Sequence, residues 1–173
     1  MPPKVPAEYS FRPLTGNDMP LLARWLAEPH MAAWWGDAAS ALEEIRGHID
    51  SISVEPFIVE LDGKPIGYIQ SYDPHLEDEN PYQDQPTGTL GIDQFIGVPE
   101  LIGKGHGTGL IGAFVEMLFE EGAPRVITDP HPANAAAIRA YEKVGFQPIG
   151  RRQTEQGEVL LMAIDNDEGE DEA

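Results

Sequence analysis

The 173-residue chain has no cysteine, so a disulfide framework, a thiolate metal site and a thiol nucleophile are all excluded. It is also poor in base. Eleven Lys and Arg stand against 30 Asp and Glu, a formal net charge of −19 with the five histidines neutral. At a pI near 4.4 the summed field repels phosphate polyanions and acidic membrane and attracts cations. Nucleic acid and membrane surfaces are therefore not expected partners. No stretch approaches the roughly 18 apolar residues of a membrane span, and Met1 to Ser10 holds three prolines and no apolar run, unlike a signal peptide. A cytoplasmic protein is the expectation. His30, His48, His75, His106 and His131 show neither His-Glu-x-x-His nor His-x-His spacing, so no metal is expected.

What is present suffices for a core. Hydrophobic residues make up 41% of the chain, with six Phe, five Tyr and three Trp, and the length fits one domain. Six acids (Asp165, Asp167, Glu168, Glu170, Asp171 and Glu172) crowd the last nine residues without a base, leaving −13 for the remainder. The expected division is a folded domain over 1–164 and a solvated, disordered acidic tail over 165–173.

Along the chain, strands and helices alternate. A short strand is predicted over Tyr9 to Leu14. Thr15 or Asn17 can cap a helix with Pro20 in its first turn and Leu21, Leu22, Trp25 and Leu26 on one face. Ser40, with Glu43 three residues on, reads as the cap of a second helix spacing Leu42, Ile45, Ile49 and Ile52. Asp62-Gly63 joins β-rich runs at Phe57 to Leu61 and Pro65 to Tyr72, a strong hairpin signal. The polar segment Asp73 to Gly88 is too long for a tight connection, and such loops are functional or disordered. Then come a strand at Thr89 to Ile96, a glycine-rich turn opening a helix, a strand at Arg125 to Thr128 and a helix at Ala133 to Val144. Phe146 to Arg152 and Val159 to Ile164 close the order. The fold class is α/β (α+β), with a sheet of about six or seven strands.

The turn Gly103-Lys104-Gly105-His106-Gly107-Thr108 suits a phosphate, because backbone N–H groups at a helix start point outward and the helix dipole favours negative charge. A capping or tight-packing role fits as well. The turn lacks the lysine position of a P-loop. It also comes too late in the chain, with pattern G-x-G-x-G, for a dinucleotide fingerprint.

Four ordered segments carry a resemblance. They are Gly91-Ile92-Asp93-Gln94-Phe95, the turn from Ile102 to Thr108, Thr128-Asp129-Pro130 through Asn134, and Ala140-Tyr141-Glu142-Lys143-Val144-Gly145-Phe146. Together they resemble the GCN5-related N-acetyltransferase (GNAT) superfamily. With Trp34-Trp35-Gly36 and Pro65 to Tyr72 added, the sequence is most similar to the aminoglycoside 6'-N-acetyltransferases, over roughly Phe11 to Leu161. One departure is Ile102, where the superfamily's turn usually begins with Arg or Gln, so Lys104 carries more of the charge neutralisation.

The resemblance implies a mixed, mostly antiparallel sheet splayed at an acetyl-coenzyme A site, with helices on both faces. It implies that Gly103, Lys104, Gly105, His106, Gly107 and Thr108 hold the pyrophosphate, that Phe95 and Ile96 line the pantetheine, and that Asn134 bonds the pantetheine or caps its helix. It implies Asp93 as the base for an acceptor ammonium, or as its anchor, and Tyr141 as the acid for the leaving thiolate, or as pocket wall. Trp35, Tyr72, Asp93 and Asp129 are the acceptor residues, with Asp37, Gln70, Glu77, Asp78 and Glu79 behind them. The Trp34-Trp35 pair also reads as core. The partner is a cationic small-molecule amine, and the protein a monomer or homodimer. Acetylation of an aminoglycoside 6'-amine is the leading reading. The alternatives are a hydroxylysine-type siderophore precursor or other small amine as acceptor, and a non-catalytic coenzyme A-binding sensor.

Overall fold

β1 (Tyr9–Pro13) runs into a capping box in which Thr15 and Asp18 satisfy each other's backbone. Arg12 grips the same Asp18 carboxylate through two contacts of 3.0 Å. Thr15 thus caps a short 3-10 turn, and α1 (Met19–Leu26) starts one turn later than its sequence signals suggest, with Asp18 at its N-cap. After α2 (Ala32–Trp35), α3 (Ala38–His48) is capped by Asp37, whose side chain accepts from Ser40 N. Ser40 is therefore the donor to the cap and not the cap itself. Ile52, expected on this helix, lies beyond its end and is exposed.

Asp62 and Gly63 take φ of 49° and 84°, the paired positive values of a type I′ turn. They join β2 (Val54–Leu61) to β3 (Lys64–Tyr72). β4 (Leu90–Ile96), α4 (His106–Glu120), β5 (Arg125–Thr128), α5 (Ala135–Val144), β6 (Gln147–Thr154) and β7 (Gly157–Asp165) follow. This computed structural model describes residues 8–167. Asp165, assigned to the tail from charge alone, ends β7 and holds Arg125 at 2.6 Å. A charge run can finish a strand when a cation faces it. The tail from Glu168 lies outside the described residues.

The seven strands form one sheet in the order β1-β2-β3-β4-β5-β7-β6. All neighbours are antiparallel except β4 and β5, which run parallel and pair only at Leu90↔Val126 and Gly91↔Ile127. β4 stays with β3 as far as Ile96, so a gap opens between β4 and β5.

Alternation along each strand sorts the core by face. Val59, Ile69, Ile92, Val126 and Met162 pack with Leu110, Ile111, Phe114 and Tyr141 of α4 and α5. Ile58, Tyr68 and Phe95 pack with Leu22, Trp25, Leu26 and Ile45 of α1 and α3 on the other side. β3 and β4 approach closely at Gly67, where an added Cβ would sit 2.3 Å from the Phe95 carbonyl oxygen. Backbone cannot swing away as a side chain can, so Gly67→Ala should lower unfolding free energy by about 1–3 kcal/mol in urea titration. An unchanged midpoint would show that the strands part freely there.

The loop from Asp73 to Thr89 is pinned. His75 Nε2 donates to Gln85 O at 3.0 Å, Gln83 Nε2 to Glu77 O at 2.7 Å, and Arg152 pairs with Asp84 at 2.7 Å.

Candidate active site

A cavity of about 570 Å³ lies over the β4–β5 gap. β3 and β4 supply its floor. Gln70 and Asp93 are register partners, and Gln70 Nε2 donates to Asp93 Oδ2 at 3.0 Å. Gln70 in turn accepts from the buried Tyr68 hydroxyl, which fixes the amide so that its NH₂ faces the carboxylate. Asp129 follows β5 directly, and the Tyr82 hydroxyl donates to its Oδ2 at 2.6 Å. Tyr141 belongs to α5 on the opposite face and lines the same cavity. The gap brings these groups together across the sheet.

Burial and the neighbouring Asp129 push the Asp93 carboxyl up to about 7, against the Gln70 hydrogen bond that lowers it. Burial likewise raises Asp129, opposed by the Tyr82 hydrogen bond. Tyr141 is pushed up to about 12 by burial, with hydrogen bonding to Thr128 and Gln94 acting the other way. Burial outweighs the hydrogen bonds, so both acids are easier to protonate than free carboxylates.

Glu44 and Glu158 add carboxylates to the lining, and among the described residues no Lys or Arg lines the cavity. Arg151 holds Glu158 at 2.7 Å. Among the described residues no Lys or Arg pairs with Glu44, Asp93 or Asp129. Burial lowers the proton affinity of His48, which lies one turn after Glu44 on α3. Trp35 both lines the cavity and packs edge-on against Phe95 at 5.0 Å. Trp34 is 47% exposed and leans on His131 at 5.6 Å. Trp35 thus serves core and pocket together.

Several predicted acceptor residues lie elsewhere. Asp37 is occupied as the α3 cap, with Ser40 N and Oγ at 2.9 and 2.8 Å. Tyr72 is buried with its ring against Gly91, in a cluster with Val54, Tyr82, Ile127 and Leu161. The pinned loop covers that end of the sheet, so Tyr72 does not line the cavity. Glu77 accepts from Ser53 and Asn80 within the loop. Neither it nor Asp78 nor Glu79 lines the cavity. Glu44, His48, Gln94 and Thr128 were missed. The spacing Ala41, Glu44, Ile45, His48 was the available signal for the first two, since residues three and four apart share a helix face.

On the donor side, Gly103 and Gly105 have φ of 77° and 87°, and an added Cβ at 103, 105 or 107 would meet nothing within 4 Å. The backbone is therefore open to a ligand. In the first intrahelical bond Gly109 N donates to Gly105 O, so the amides of His106, Gly107 and Thr108 are the unpaired N–H groups of the helix start. Among the described residues no side chain caps them. Lys104 is exposed beside them. His106 shares a 2.8 Å hydrogen bond between its Nδ1 and the Tyr9 hydroxyl, which ties α4 to β1. Asn134 caps α5 by accepting from Ala137 N at 3.2 Å and also lines the cavity.

The Ile92 carbonyl accepts from Thr128 Oγ1 across the gap, and residues two apart share a strand edge. Gln94 and Ile96 thus turn their amides to the gap. Phe95 faces the other way: Gly97 N, on its edge, bonds Ile66 O at 2.8 Å, and its ring is buried under α1. Gln94 takes the place expected of Phe95. His30 Nε2 stands 2.9 Å from the Ile96 carbonyl oxygen and must carry the hydrogen. The open glycine turn, the unpaired amides and the exposed strand edge fit the pyrophosphate and amide-rich arm of coenzyme A. Among the described residues no three His, Asp or Glu side chains gather as a metal site, and no helix is long and apolar enough to cross a membrane.

Residues 15–154 match the family model of the acetyltransferase (GNAT) domain. The chain is 36% identical over 162 residues to an aminoglycoside N(6')-acetyltransferase type 1 of Klebsiella pneumoniae, covering 88% of this chain and 81% of that one. It is 25% identical to the lysine N-acyltransferase MbtK of Mycobacterium tuberculosis, over 94% and 80% of the two chains. The crystal structure of aminoglycoside acetyltransferase AAC(6')-Ib with coenzyme A and kanamycin superposes with a TM-score of 0.85 at 34% identity, covering 95% of this chain and 98% of that one. The sheet gap, the glycine turn and these matches agree, and the chain belongs to the GNAT acetyltransferase family.

Proposed function

We propose that the protein is an acetyl-coenzyme A-dependent N-acetyltransferase whose acceptor is an aminoglycoside, acetylated at its 6'-amine. The observation that carries this reading is the cavity at the β4–β5 gap, where Glu44, Asp93 and Asp129 meet no Lys or Arg among the described residues. Three acids without a Lys or Arg partner among the described residues suit a polyamine, and the faces of Trp34 and Trp35 suit its rings. The kinship with aminoglycoside N(6')-acetyltransferases supports the same choice.

The bound donor supplies an activated acetyl thioester. Gly103, Lys104, Gly105, Gly107 and Thr108 hold its pyrophosphate, and the Gln94 and Ile96 amides face the gap where its carbonyl would lie. Asp93 receives a proton from the acceptor ammonium, directly or through water, and frees the nitrogen lone pair. The new C–N bond forms as the C–S bond breaks, Tyr141 gives its hydroxyl proton to the departing sulfur, and the acylated nitrogen releases its second proton, directly or through water, to restore the Tyr141 phenol. Asp129 and Glu44 hold further ammonium groups.

The test is thiol release from acetyl-coenzyme A with kanamycin, hydroxylysine and simple polyamines, followed by mass and NMR analysis of the product. Kanamycin should be turned over with the highest kcat/KM and carry its acetyl group on the 6'-nitrogen. Preference for hydroxylysine would move the protein to the siderophore-precursor reading. Binding of coenzyme A without turnover of any amine would make it a sensor.

A further inference from the structure

We propose that Tyr82 is a positioning residue of the acceptor site, its hydroxyl aiming the Asp129 carboxylate at the cationic substrate. This deepens the reading above and rests on it for the identity of the acceptor.

Tyr82 comes from the middle of the long β3–β4 loop, yet is only 2% exposed. Its ring completes an apolar cluster with Val54, Ile127, Leu161 and Ala163. Phe would fill that space without burying a hydroxyl, which is costly unless bonded. The hydroxyl donates to Asp129 Oδ2 at 2.6 Å. Among the described residues no other side chain bonds that carboxylate; its remaining hydrogen bond comes from its own backbone, so the phenol is the one side chain that orients it.

The loop is built to deliver this group. Asn80 Oδ1 accepts from Tyr82 N at 2.8 Å on one side. On the other, Arg152 donates to Pro81 O at 3.2 Å, pairs with Asp84 and stands 5.9 Å from the centre of the Tyr82 ring. Gln85 is anchored by His75 and by Arg125. These contacts leave the ring little freedom to turn away.

Asp129 sits among other ionisable groups, so its charge is contested. Asp93 on β4, Tyr72 on β3 and Tyr141 on α5 all feel its field. His131 beside it and Glu44, His48 and Glu158 complete the titratable lining. Burial favours the protonated acid, and the Tyr82 hydrogen bond is the largest opposing influence. Removing it should loosen the orientation of the anchor and raise its proton affinity further.

The experiment compares wild type, Tyr82→Phe, Asp129→Asn and the double variant in steady-state kinetics with kanamycin. Tyr82→Phe should raise the acceptor KM about tenfold, the worth of a hydrogen bond to a charged group. It should leave the acetyl-coenzyme A KM unchanged and kcat within about twofold. In the Asp129→Asn background the same change should add nothing, since the phenol acts through that carboxylate. A Tyr82→Phe acceptor KM equal to wild type, or an equal rise in both backgrounds, would overturn the proposal.

A second readout needs no acceptor. Followed by carboxyl ¹³C NMR in the free protein, Asp129 should titrate at higher pH in Tyr82→Phe than in wild type, and an unmoved titration would sink the proposal. Failure of the functional reading would appear separately, as a wild-type protein that acetylates no aminoglycoside while the titration still shifts.

Discussion

Tyr141→Phe should lower kcat about 10²-fold, with the KM of both substrates within about twofold, the pattern of a lost proton donor. The ring is 4% exposed and packs edge-on against Phe146 at 5.3 Å, so Phe fills the same volume and the fold should survive. At about 12 the phenol stays protonated across the working pH range. Against a free thiol near ~8.5 proton transfer from so weak an acid is uphill. The carboxylates around the cavity disfavour the thiolate too, which narrows that gap. This is why the expected loss sits at the low end of the range for acid catalysis, about 10²- to 10⁴-fold. The measurement is single-turnover acetyl transfer by rapid quench, which isolates chemistry from product release. A full-rate Tyr141→Phe transfer would reduce the residue to pocket wall.

Asp93→Asn should cost turnover by about 10²-fold or more and at the same time stabilise the protein above neutral pH. Asparagine can still accept the Gln70 hydrogen bond, so the geometry is kept. The carboxyl is held up at about 7 by burial and by Asp129, against an ordinary value near ~3.9. The folded protein thus retains a proton that the unfolded chain releases. That contribution to stability is full below about pH 4 and is lost as pH rises through about 7. Asparagine has no charge to bury. The melting temperature of Asp93→Asn should therefore gain on wild type between about pH 4 and 7 and stay above it at pH 8. Activity should run the opposite way. Wild-type kcat/KM should climb with pH through about 7, and the variant should lack that limb. An acceptor KM that rises while kcat holds would make Asp93 an anchor and not the base.

The parts of this molecule that local chemistry dictates were legible in its sequence. Asp62-Gly63 forms its turn because both residues must take positive φ. The glycines at 103 and 105 keep the backbone of the α4 start open. Gly145 ends α5 with a φ of 124°. The sheet gap came only with the family resemblance, because pairing over two residues leaves no local signal. What failed depended on competition between neighbours. Asp37 and Ser40 are both good caps, and the choice of Asp37 removed it from the pocket. Tyr72 has the right strand parity for the acceptor side, but the loop that buries it folds back from residues with no periodicity. Tyr82 was hidden for the same reason, as nothing along the chain ties a loop phenol to a carboxylate 47 residues away. Glu44 and His48 were visible as a helix face, but not the cavity they border.

The brief meeting of β4 and β5, two residue pairs long, makes the sheet a partition with one opening, where its two sides share a single cavity. On the proposed mechanism one wall, carrying α4 and α5, serves the donor, and the other, carrying α1 to α3 and the β3–β4 loop, serves the acceptor. The traffic between them is a proton and an acetyl group. Substitutions on the acceptor side that spare Asp93 and Asp129, the acids whose field reaches Tyr141, leave the donor side's contacts in place, so new acceptor preferences can arise there. A scaffold divided in this way is open to diversification by exchange of whole acceptor segments, with the donor chemistry inherited intact.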